Sequence, residues 1–197
     1  MPLPRRSHDR SLNPELERLI YQEKVILQEA EGLYWGLTDN QLNWTPEPGQ
    51  WSVAQCLDHT NITNDKLSEK IDIAIKSARA SGMLSEGPFT YGFVARWFLR
   101  LLLPPVKRRF KAPKGAQPGV RRAAADVVPK WEKTHHRLTD QLKDSDGIDL
   151  ARTKVSSPFN NLLKYPLGMA FWIQTAHDRR HLWQARQIRN HPNFPSQ

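Results

Sequence analysis

Apolar side chains recur along this chain at the three-to-four-residue spacing of helices that bury one face, in four long stretches separated by loops with proline or glycine. The first stretch covers residues 14–34, with Asn13 as cap, Pro14 at the first helical position and Leu16, Leu19, Ile20, Ile26, Leu27 and Leu33 on the apolar side. A loop at 43–50 holds Pro46, Pro48 and Gly49; Ser52 then caps a second helix that runs to about residue 80 and stops at Gly82. A short helix is expected between 91 and 103. A third long helix starts at Gly119 or Arg121 and reaches about 142, with Pro129 kinking it or delaying its start. Residues 143–165, with Asp146-Gly147 and Ser157-Pro158, read as a loop, and a fourth helix covers 166–190. No stretch alternates with period two for long enough to predict a strand.

This pattern predicts an all-α four-helix bundle with an insertion at about 87–118 between its second and third helices. At 197 residues and 39% hydrophobic content, one domain over 14–190 accounts for the chain, with a polar arm at 1–13 and a tail at 191–197. The single cysteine, Cys56, excludes an internal disulfide and a multi-cysteine zinc knuckle, and the N-terminus lacks the apolar core of a signal peptide. A cytoplasmic location is therefore expected.

Charge singles out the insertion. Residues 87–125 carry nine cations and no acid, whereas the rest of the chain balances twenty against twenty. The cations are Arg96, Arg100, Lys107, Arg108, Arg109, Lys111, Lys114, Arg121 and Arg122, interleaved with Phe89, Tyr91, Phe93, Trp97, Phe98 and Leu101 to Leu103. The apolar run is too short to span a bilayer. It can bind nucleic acid by phosphate contact and stacking, lie on an anionic membrane surface, or form a lid that receives an anionic substrate. The helical spacing of Phe89, Phe93 and Trp97 also fits aromatic packing on the bundle, with the cations left in solvent.

The chemistry-bearing residues are histidines. His177 and His181 stand four apart on the last helix, so both imidazoles can point at one ion. With Pro166, Ile173, Gln184 and Ile188 they fall within roughly 40–60° of one direction, which makes this the expected inward face. Buried imidazoles need partners, and a shared metal or buried hydrogen bonds would supply them. His59 is the candidate third member.

The run from Leu37 through Trp44-Thr45-Pro46 and Trp51-Ser52 to His59 resembles the opening of the second helix in the DinB-like superfamily of metal-binding helical bundles, and the His177/His181 pair resembles that family's last-helix motif. The resemblance covers about 14–190 but not 87–118. It implies a divalent metal, zinc or nickel, held by His59, His177 and His181 with a position left for water or substrate. It further implies a bacterial enzyme, a thiol-dependent S-transferase or a hydrolase, acting on a small molecule and using a low-molecular-weight thiol such as mycothiol or bacillithiol. The alternative is a non-catalytic stress-response protein whose basic segment engages nucleic acid or a membrane.

The other candidates have plainer expected roles. Cys56 reads as a small buried hydrophobe. Asp58 and Asp178 point some 100° away from the histidines beside them, toward solvent or an interhelical ion pair. Gln174 and Gln184 are better placed to support the histidines. His135 and His136 are expected on a helix surface, and His8 and His191 in frayed ends. Trp44 and Trp51 would plug the bundle end. Trp172 and Trp183 share a face away from the histidines, covered by the core or by the partner helix of a homodimer.

Overall fold

The computed structural model of the chain describes residues 11–106, 111–160 and 162–196. Four long helices form the bundle: α1 (Pro14–Tyr34), α3 (Val53–Ala80), α5 (Ala124–Asp144) and α6 (Leu167–Arg189). Helix α3 packs on α5 and α6, and α1 packs on the other sides of the same two helices. Two short helices, α2 (Asp39–Leu42) and α4 (Phe93–Leu102), and a 3-10 turn at Lys114–Ala116 complete the helical elements. The fold is all-α in its core.

Local chemistry fixes where these helices begin. Asn13 accepts the Glu15 N–H at 2.9 Å ahead of Pro14. Ser52 and Gln55 form a reciprocal box: Ser52 Oγ accepts the Gln55 N–H at 3.1 Å, while the Ser52 N–H donates to Gln55 Oε1 at 3.0 Å. Thr38 and Gln41 repeat the device at α2, a helix the periodicity does not reveal. Residue 82, a glycine with φ of 63°, ends α3 as expected.

Three expectations are corrected. The 143–165 stretch is not all loop, because α5 continues to Asp144 and an antiparallel hairpin pairs β1 (Lys154–Ser156) with β2 (Lys164–Pro166). Strands of three residues are too short to display a period of two. Helix α5 starts at Ala124, so Pro129 lies inside it. The hairpin and the turn before it also cap α6, whose first N–H groups, of Leu167 and Gly168, donate to the carbonyls of Thr153 and Leu150.

The core is divided. One apolar cluster includes Leu16, Leu19, Ile71, Leu138, Leu142 and Phe171, and the other includes Ile26, Leu33, Leu57, Trp131, Leu182 and Ile188. Between them every long helix contributes buried polar side chains: Glu23, Asn61 and Asn64, Thr134 and His135, and Gln174, Thr175 and Asp178. The same positions along all four helices thus carry a polar layer through the middle of the bundle. His135 is fully buried there, which overturns the expectation of a surface position; only His136 is exposed.

Candidate metal centre

His59 sits in the second turn of α3, at a phase set by the Ser52 cap, and His177 and His181 sit one turn apart on α6. The α3–α6 packing brings all three together, with one ring nitrogen of each within 4.8 Å of the others. His59 and His181 are buried and His177 is half-buried. The centre of the α6 buried face runs through Gln174, Asp178 and Ala185. The histidines lie on its flank toward α3.

The protonation pattern follows from the contacts. His59 Nδ1 lies 2.6 Å from the Ala116 carbonyl. A carbonyl only accepts, so Nδ1 carries the proton and the Nε2 lone pair of the neutral ring points inward. That nitrogen faces His177 Nε2 at 3.3 Å. Burial lowers the pKa of His59 although the Ala116 carbonyl opposes it. Burial, reinforced by His59 and Arg180, pushes His177 down to about 3. His181 falls well below the ordinary histidine value through burial and the neighbouring His177 and His59. Three neutral imidazoles crowded in this way are poor company for protons and suitable ligands for a divalent cation.

Surrounding residues hold the group in place. Trp51 packs its ring against His59 at 4.8 Å and His181 at 5.6 Å between centroids, so it lines the site in addition to closing the bundle end. Trp44 is the plug, against His191 and Phe194. Asp58 points away from the cluster and anchors the chain beyond the insertion, accepting the Gly119 N–H at 2.8 Å and the Arg122 Nε–H at 2.9 Å. Gln55 Nε2 adds a bond to the Gly119 carbonyl. Cys56 is fully buried among apolar side chains, and burial pushes its thiol pKa up, so it offers no thiolate. Gln184 is half-buried on the histidine side of α6, whereas Gln174 is buried in the polar layer with its amide unpartnered.

The insertion supplies what the sequence reasoning missed, because the partner of His59 is a main-chain carbonyl at fully buried Ala116 and has no side-chain signature. Its aromatic residues follow expectation only in part: Phe89 packs against the first apolar cluster. Helix α4 packs on α6, with Leu102 buried and Arg180 donating to the Leu101 carbonyl, yet Phe93, Trp97 and Phe98 face solvent. Lys107, Arg108, Arg109 and His8 lie outside the described residues.

A family comparison decides the affiliation. The pattern of the DinB superfamily matches residues 25–185, a span that includes the Trp51-Ser52 opening of α3 and both α6 histidines. The chain belongs to the DinB superfamily. No curated protein and no solved structure gave a significant match.

This DinB-superfamily chain has a second buried group, Glu23, His135 and Asp178, which also has ligand atoms within 4.8 Å of one another. His135 Nδ1 donates to Glu23 Oε2 at 2.8 Å, while its Nε2 lies 3.9 Å from Asp178 Oδ2. The two ring nitrogens diverge toward different carboxylates, which is the geometry of a bridging imidazole. Thr175 Oγ1 donates to Glu23 and Asn64 Nδ2 to Asp178. Burial pulls the His135 pKa down, but the two carboxylates more than offset it, and burial raises Asp178 to about 7. Asp178 is therefore the interhelical partner foreseen for it, within the polar layer.

Proposed function

We propose that the DinB-superfamily chain is a divalent-metal-dependent enzyme, with His59, His177 and His181 as ligands and zinc or nickel as the metal. The observation that carries this reading is the approach of His59 Nε2 to His177 Nε2 at 3.3 Å, with His181 alongside. Ligand bonds of about 2.1 Å in tetrahedral geometry separate donor atoms by about 3.4 Å, which is close to the His59–His177 spacing, with His181 within 4.8 Å of both. The residues fit the ion.

A divalent ion with an open position lowers the pKa of a bound water or thiol and polarises a substrate oxygen. The residues around it supply the rest. Ala116 fixes the His59 tautomer, and Trp51 forms an apolar wall. No thiol of the chain is available, because Cys56 is sealed, so a nucleophilic thiol would come from a low-molecular-weight cofactor and a hydrolytic nucleophile from water. S-transfer and hydrolysis are the two reactions this supports.

The test is turnover by protein purified without a metal-affinity tag, stripped of metal and reloaded with zinc or nickel. A panel of esters, amides and electrophiles, assayed with and without added thiol, separates the two reactions. Metal-dependent turnover that is lost in His177→Ala is expected. Equal turnover by the stripped protein or by His177→Ala would refute the reading.

A further inference from the structure

Helix α4 is amphipathic in the reverse of the usual sense. Its sequence, FVARWFLRLL, contains two arginines and otherwise only apolar residues. Taking Phe93 as origin and about 100° per residue, Phe93, Trp97, Leu101, Val94 and Phe98 occupy an arc of about 140°. The side toward the bundle carries Leu102, Ala95 and Leu99, and Arg96 and Arg100 fill the remaining flank. The apolar arc faces solvent: Phe93 is 71% exposed, Val94 74% and Trp97 53%, with Phe98 also exposed. A helix packed on α6, with Leu102 buried and Arg180 donating to the Leu101 carbonyl, thus turns its most apolar side outward. Exposed aromatic and aliphatic side chains gathered on one face mark a surface that something covers.

We propose that this face docks onto an anionic lipid bilayer surface. Three observations select that occupant. Arg96 and Arg100 are exposed along one edge of the apolar arc, where long basic stems can lie along apolar surface while their heads meet lipid phosphates. The surrounding segment, 87–125, has no acid; it adds exposed Lys111 and Lys114, while Arg122 is paired with Asp58, so its net charge complements an anionic surface. The same charge opposes a second copy, since self-association through α4 would set two strongly basic segments side by side. A nucleic acid could use the cations and stack on Trp97 or Phe93. It gains little from Val94, and apart from the single Trp97 indole N–H, α4 offers no uncharged hydrogen-bonding side chain for base edges. No described helix is long and apolar enough to cross a membrane, so the contact is peripheral.

Co-sedimentation with phosphatidylcholine vesicles, with and without phosphatidylserine, tests the proposal on the full chain. Binding to the serine-containing vesicles is expected, weakened by salt and much reduced on phosphatidylcholine alone. Phe93→Ser/Trp97→Ser, at positions half or more exposed, should keep the parental melting temperature and lose more than about tenfold in affinity. Arg96→Gln/Arg100→Gln should lose roughly 10–30-fold. If the aromatic variant is misfolded by melting or circular dichroism, the arginine variant carries the test alone. Failure of the parent protein to bind anionic vesicles, or full binding by a folded aromatic variant, overturns the proposal. So does a dimer, or tighter binding to a single-stranded oligonucleotide, that is lost in that variant.

Discussion

The Ala116 carbonyl accepts the Nδ1 proton of His59 at 2.6 Å, so a turn of the insertion sets the tautomer of a histidine on the second long helix. The chain beyond this turn is tied to α3 by Asp58, which holds Gly119 and Arg122. Partners of this kind typically change metal affinity by about 10–100-fold. Asp58→Ala should therefore weaken zinc or nickel binding about tenfold while the far-ultraviolet circular dichroism stays that of a helical bundle. Isothermal titration of the stripped protein measures it; unchanged affinity would show that the strap does not position His59.

Ser52→Ala removes one half of the box that starts α3 and should lower stability by about 0.5–2 kcal/mol in urea denaturation. Gln55→Ala removes the other half. Because the cap sets the helical phase of His59, metal affinity should fall in both variants. A loss of stability without any loss of affinity would separate the cap from the site.

His135→Ala leaves Glu23 and Asp178 buried without the imidazole that bridges them. A loss of about 3–5 kcal/mol is expected. The neighbouring exposed residue provides the control, since His136→Ala should stay within about 0.5 kcal/mol of the parent. Comparable effects of the two substitutions in urea titrations would contradict the bridging role.

The folded pKa of His177, about 3, lies below that of the unfolded chain. Between about pH 6.5 and 3 the unfolded state then holds a proton at this site that the native state lacks, so this group's contribution to stability is present above 6.5 and lost as pH falls. Asp178, raised to about 7, works in the opposite direction. Against the metal-free parent, His177→Gln removes this group and relieves His181, and both changes act in the same direction. The variant's melting temperature should fall less steeply from pH 6.5 to about 4; parallel curves would rule out the depressed pKa.

A β-carbon on Gly168 would collide with the Tyr91 hydroxyl, which donates to Glu15. Gly168→Ala should break that bond, loosen the start of the insertion and cost about 1–3 kcal/mol. A melting temperature equal to the parent's would show that Tyr91 moves aside freely.

The long helices were legible because their apolar periods and caps are strong, and the approach of His59 to the α6 pair follows from register on two well-started helices. Other features left weaker traces. The Thr38 and Gln41 pair that starts α2 is a capping-box pattern, but its helix is too short to show a period. Trp131, His135, Leu138 and Leu142 share one face of α5, a signal that marks His135 as inward once its neighbours are counted with it. The outward turn of Phe93 and Trp97 had no such signal: a period of 3.6 gives the relative directions of side chains, while the packing of α4 on α6 decides which side meets the bundle. Ala116 was invisible because its contribution is a carbonyl.

The central claim is that His59, His177 and His181 hold one divalent ion, and stoichiometric metal analysis tests it most directly. Protein purified without a metal-affinity column, stripped, reloaded with zinc or nickel and freed of excess should retain about one ion per chain. His59→Ala and His177→Ala should each retain almost none while remaining folded. A parent protein that retains no ion, or folded variants that retain as much as the parent, would contradict the account.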